Sequence, residues 1–160
     1  MRQRGIIFCM VKVLLDTNVL INTNRGEFSY PKRILDLVRK TKITAVISHA
    51  VRRENELIIS RLINDHKLQQ DLQDYLLLAE KVKSTPVKVT LADDEDIKLL
   101  EAAVGGVVNF LITEDKHLLD LEKFQDIQIL TPAEFWQWWQ KQQDEVGETW
   151  NSWAKNILGK

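Results

Sequence analysis

Short runs of apolar β-forming residues, each separated from the next by a longer helical pattern, constrain this chain more than any other feature. The runs are residues 11–15, 43–47, 87–91, 108–112 and 127–130. Helical spacing is expected over 31–40, 49–63, 66–82, 94–104 and 116–123. Strands that are apolar almost throughout belong in a parallel sheet covered on both faces. The alternation therefore predicts an α/β fold around a central parallel sheet of about five strands. Gly105-Gly106 is placed to stop the fourth helix, and Thr131-Pro132 to open a last one.

A chain of 160 residues suits one domain with a substantial core. No linker, repeat or low-complexity segment interrupts it. The expected domain spans about 10–135, followed by a Trp-rich helical tail over 136–160. Residues 1–9 read as an optional extension, because Met10 leads directly into the first strand. The basic, apolar N-terminus lacks the uninterrupted apolar run and cleavage site of a signal peptide. No stretch is long enough to span a membrane. A single cysteine, Cys9, excludes an intramolecular disulfide and a Cys-rich zinc site, and fits a reducing cytoplasm.

In open parallel sheets, ligands gather beyond the carboxyl ends of the strands. Acids follow four of the five runs. The first run ends on Asp16, the second leads into a helix holding Glu54, and the third precedes Asp93-Asp94-Glu95-Asp96. The fourth ends in Thr113-Glu114-Asp115. At ~100° per residue, and with Ala50 at zero, Val51, Leu57, Ile58 and Leu62 form a stripe roughly 140° wide. Glu54 falls inside it, whereas Glu56 lies opposite. The same arithmetic puts Asp96 at the top of the stripe made by Leu99, Leu100 and Ala103, with Asp94 and Glu95 pointing away. Strand alternation sets Thr113 and Asp115 on one side and Glu114 on the other.

Each acid also has a plainer reading. Asp16, Asp93, Asp96 and Asp115 suit helix caps or turns. Glu54 lies beyond the first helical turn and has no such excuse; buried, it needs a partner. Four acids from four elements at one sheet edge would repel one another. A hard divalent cation, Mg²⁺ or Mn²⁺, is the simplest compensation, and it suits attack of water on a phosphodiester. His49, His66 and His117 are too scattered for zinc, and no Gly-rich phosphate loop precedes a helix.

The ordered set LLDTNVLI, VISHAVRRE, DDEDIKLLEAAVGG and FLITEDKHLL resembles the PIN-domain nucleases, and IQILTPAEF is similar to the close of a toxin–antitoxin subfamily (VapC-like). The likeness runs from about Val11 to Phe135. It implies a three-layer α/β/α sandwich and an acidic quartet, Asp16, Glu54, Asp96 and Asp115, that binds Mg²⁺ or Mn²⁺ to hydrolyse RNA. It further implies supporting roles for Asn18, Thr113 and Asp93, and an antitoxin protein as partner. The chain departs from the pattern at Glu114, where the family commonly has glycine.

Net charge is −1, so RNA must be met by local cations. Arg52, Arg53 and Arg61 on the Glu54 helix, and Lys116 after Asp115, are the candidates. Single-stranded or looped RNA is the expected target. The tail places Phe135, Trp138, Trp139 and Gln142, then Val146, Trp150, Trp153 and Ile157, at helical spacing. That fits a helix packed on the domain, or a surface for an antitoxin or a second copy in a homodimer. Competing functions are a housekeeping RNA-processing nuclease and a non-catalytic RNA-binding or assembly module. A receiver-like phosphoacceptor domain also gathers acids at a sheet edge, but the order of residues here fits it poorly.

Overall fold

The computed structural model describes residues 10–158. Residues 1–9, read above as an optional extension, lie outside it. Val13, Leu14 and Leu15 have no more than 1% exposure, so the first apolar run is a central strand covered on both faces. This is β1 (Lys12–Leu15), followed by α1 (Thr17–Asn22) and a 3₁₀ turn (Thr23–Arg25). The chain continues through α2 (Tyr30–Arg39), β2 (Thr44–Ser48), α3 (His49–Leu62), α4 (His66–Leu78) and β3 (Glu80–Val82). It then forms α5 (Asp94–Gly105), β4 (Phe110–Ile112), α6 (Lys116–Leu119), β5 (Lys123–Phe124), β6 (Ile127–Leu130) and α7 (Pro132–Leu158).

Among the described residues the sheet has six strands in the order β3-β2-β1-β4-β6-β5. All pairings are parallel except β5 with β6, which is antiparallel at the edge. The chain moves outward from β1 to β3 and then crosses back to β4. Right-handed crossovers consequently put α5 on the face opposite the helices before it, giving a three-layer α/β/α sandwich. α5 packs on β1, β2 and β4, while α2 groups with α1, α4 and α7. No helix among the described residues is long and apolar enough to cross a membrane.

Three segments differ from expectation. The helix expected over 66–82 ends at Leu78, and its last residues form β3. Residues 116–123 give only one helical turn before β5. The run 87–91 is not a strand. Its alternation is real, with Val87, Val89 and Leu91 half-buried and Lys88 and Thr90 exposed. Its neighbour is a helix, however, so it has no strand to pair with: the Thr85 N–H donates to the Glu101 carbonyl and the Val87 N–H to the Glu101 carboxylate. This crossing also explains Gly105, where a Cβ would sit 1.9 Å from the Lys83 carbonyl oxygen. The glycine is needed for close backbone approach as well as for ending the helix.

Candidate active site

Strand order reverses between β1 and β4, and ligand sites of α/β sheets favour such switch points. Asp16 stands at the end of β1 and Thr113-Glu114-Asp115 at the end of β4. The Asp16 N–H donates to the Ile112 carbonyl at 3.0 Å, so the ladder holds the two strand ends together up to the first acid. Asp16 is buried and caps α1: its Oδ1 accepts from the Asn18 backbone N–H at 3.4 Å. Its Oδ2 accepts from Thr113 Oγ1 at 2.7 Å. Burial raises the Asp16 pKa, opposed by these hydrogen bonds and reinforced by the nearby charge of Asp115. Asn18 thus steadies Asp16 through its backbone, while the residue itself is exposed.

Asp115 caps α6 by accepting from the His117 N–H at 2.8 Å, and its own N–H donates to Thr113 Oγ1. Glu114 turns to the other side, as alternation requires. Its Oε2 accepts from Asn22 Nδ2 at 2.5 Å, and its Oε1 lies 3.5 Å from Arg25 Nη1. Both oxygens are engaged, which makes Glu114 a strut between α1 and the β4 turn.

α5 delivers Asp96, which is 5% exposed at the start of the helix's buried stripe. Its carboxylate has no ion-pair partner among the described residues. Its pKa is pushed up to about 6, first by burial and then by Asp115, Asp93 and Asp16. Asp93 is exposed and caps α5 through the Glu95 N–H. The cap readings are therefore realised at Asp16, Asp93 and Asp115, yet capping engages only Oδ1 of each.

α3 sits differently from the helical-wheel expectation. Its buried residues are Val51, Asn55 and Ile59, whereas Ala50, Leu57 and Leu62 are exposed. At ~100° per residue, the buried face is turned roughly 90° from the expected stripe. The cause is Asn55, fully buried and accepting from Thr17 Oγ1 at 2.6 Å. A polar residue on the core face carried no weight in an apolar pattern. Glu54 lies at the flank of that face, half-buried. Its pKa is raised by burial, then by Glu95 and Asp16. Glu95, expected to point away, faces Glu54 across an open groove of about 680 Å³ between α3 and α5, which Arg53 and Lys98 also line.

Asp16, Asp96 and Asp115 are thus within electrostatic reach of one another and Glu54 within reach of Asp16, although no three His, Cys, Asp or Glu side chains among the described residues stand close enough to hold a metal ion. The donor set is nevertheless all-oxygen and anionic, and no Lys, Arg or His lies within ion-pair distance of these four among the described residues. That chemistry fits a hard divalent cation, whose charge would relieve the repulsion and draw the carboxylates inward. Of the candidate cations, Arg52 is ion-paired with Glu56 at 2.9 Å, whereas Arg53, Arg61 and Lys116 are exposed.

A family model described as "PIN domain" matches residues 12–117. The fold is similar to that of a chain in the crystal structure of VapBC2 from Rickettsia felis bound to a DNA fragment from their promoter. The TM-score is 0.52 at 16% sequence identity, covering 74% of this chain and 97% of that one. No curated protein matches the chain.

Proposed function

The chain belongs to the PIN domain family, and from that premise we propose that it is a divalent-metal-dependent endoribonuclease, the toxin of a toxin–antitoxin pair. Asp16, Glu54, Asp96 and Asp115 are the proposed metal ligands, with Mg²⁺ or Mn²⁺ as the ion. When bound, the ion would activate water and polarise the phosphodiester, so that cleavage leaves 5′-phosphate ends.

The chain's own residues do the rest. Thr113 and the Asn18 N–H fix both oxygens of Asp16, so its carboxylate presents a constant face. Asp115 Oδ1 caps α6, while its Oδ2 has no hydrogen-bond partner among the described residues. Asp93 holds the start of α5, and with it Asp96, in place. Arg53, Arg61 and Lys116 are the proposed phosphate contacts, and Arg52 would have to leave Glu56 to join them. Single-stranded or looped RNA is the substrate proposed.

The observation that supports this reading is the convergence of acids near the β1/β4 switch point, where burial first and neighbouring carboxylates second raise the pKa values of Asp16, Glu54 and Asp96. The toxin role is supported by the similarity in fold to a chain from a VapBC2 structure. Incubating purified protein with single-stranded RNA tests the chemistry. Cleavage in Mn²⁺ that is lost in EDTA and in Asp16→Asn is expected; equal cleavage by the variant, or none by the wild type, refutes it. Growth arrest on expression tests the toxin role.

A further inference from the structure

Two uncharged residues link two of the acids. Thr17 follows Asp16 directly in the chain, and Asn55 follows Glu54. Thr17 Oγ1 donates to Asn55 Oδ1 at 2.6 Å, and both side chains are buried. Thr17 opens α1, which Asp16 caps, and Asn55 stands in the middle of α3. A single hydrogen bond therefore joins the turn that presents Asp16 to the helix that carries Glu54.

Stability does not account for an asparagine here. Asn55 is fully buried, and its Nδ2 finds no partner among the described residues. A leucine would continue the buried row of Val51 and Ile59 without leaving an amide group unsatisfied. What the asparagine supplies is direction, because the hydrogen bond can form at one orientation of α3, whereas an apolar row tolerates a range.

Orientation matters because α3 has a rival face. At ~100° per residue, and with Ala50 at zero, Val51, Asn55 and Ile59 centre at about 140°, whereas Ala50, Leu57, Ile58 and Leu62 centre at about 50°. Leu57 and Leu62 are 49% and 55% exposed, so apolar burial favours turning that second row inward. Such a turn would carry Glu54, at about 40°, from the flank toward the middle of the buried face. Asp16 has anchors of its own in Thr113 and the Asn18 N–H. Glu54 has no ion-pair partner among the described residues, so its place depends on how α3 is set.

We propose that Thr17 and Asn55 are positioning residues, whose hydrogen bond fixes the roll of α3 and so holds Glu54 within reach of Asp16. The proposal rests on the reading of Asp16 and Glu54 as metal ligands.

Two measurements on the full chain test it. Thr17→Val removes the hydroxyl at nearly constant shape, and Thr17→Ser retains it. In the metal-free protein, a neutral paramagnetic probe in solution reads the exposure of the Leu57 and Leu62 methyl groups by NMR. They should be exposed in wild type and Thr17→Ser, and shielded about twofold or more in Thr17→Val as α3 turns. Calorimetric titration with Mn²⁺ should give an affinity about tenfold or more weaker for Thr17→Val, and within about twofold of wild type for Thr17→Ser. Adding Asn55→Leu to Thr17→Val makes the pair apolar, which should restore the melting temperature while the affinity stays about threefold or more below wild type. Unchanged methyl exposure or unchanged affinity in Thr17→Val overturns the proposal. So does an affinity that recovers together with the melting temperature in the double variant, which would make the pair a matter of packing alone. Wild type that binds no Mn²⁺, or Asp16→Asn that binds it as tightly, refutes the ligand reading itself, and the positioning role falls with it.

Discussion

Thr113 Oγ1 donates a 2.7 Å hydrogen bond to Asp16 Oδ2 while accepting one from the Asp115 backbone N–H at 3.0 Å. One buried hydroxyl thereby joins two acids that lie 99 residues apart in the chain (16 to 115). Hydrogen bonds to charged groups contribute about 1.5–3 kcal/mol. Thr113→Val should therefore lower kcat for RNA cleavage by about tenfold or more, whereas Thr113→Ser should keep most activity. Steady-state kinetics in Mn²⁺ on both variants check this.

Asp96 sets a pH dependence. Its pKa is raised in the fold from 3.8 to about 6, so the folded state holds the proton more tightly than the unfolded chain. Its contribution to stability is full below about 4 and is lost as pH rises through about 6. The whole shift would correspond to about 3 kcal/mol, and screening at an open site reduces this to about 1 kcal/mol. Asp96→Asn should raise the melting temperature in EDTA near pH 8 and have little effect near pH 4. Mn²⁺ should stabilise the wild type and not the variant. Thermal melts across pH, with and without Mn²⁺, measure both.

Glu114 holds the β4 turn to α1 through Asn22. Glu114→Ala should lower activity several-fold. Glu114→Gln, whose carbonyl can still accept from Asn22, should recover most of it. Asn22→Ala combined with Glu114→Ala should cost no more than either alone, since the two residues make one strut. A double-mutant cycle on kcat decides; additive effects would mean separate roles.

Asn55 pairs with Thr17 inside the core, and its Nδ2 has no partner there. Asn55→Ala would leave the buried Thr17 hydroxyl unsatisfied. A loss of about 1–3 kcal/mol is expected, read as a lower urea midpoint with an unchanged slope.

Much of the fold was legible because it depends on which residues are apolar. Residues 11–15 and 108–112 are apolar nearly throughout, and they became the two strands flanking the switch point. The buried position of Asp96 was legible because Leu99, Leu100 and Ala103 mark its face of the helix. The positions of Thr113 and Glu114 followed from strand alternation alone. Glu95 was missed because its facing of Glu54 depends on how α3 and α5 pack, which no single helix reveals. Residues 87–91 show the same limit: their alternation was correct, but a strand also needs a neighbour with free N–H and C=O groups.

The sequence by itself determined the α/β alternation, the placing of acids after the strands and the apolar stripe of α7, since each is a property of local period. Tertiary structure decided the roll of α3 about its axis, the pairing of Glu114 with Asn22 and the lack of a strand partner for 87–91. Those outcomes depend on hydrogen bonds between groups far apart in the chain, and periodicity carries no record of which distant donor meets which acceptor. Asn55 illustrates the point: it counts as polar in any pattern, yet Thr17 makes it a core residue.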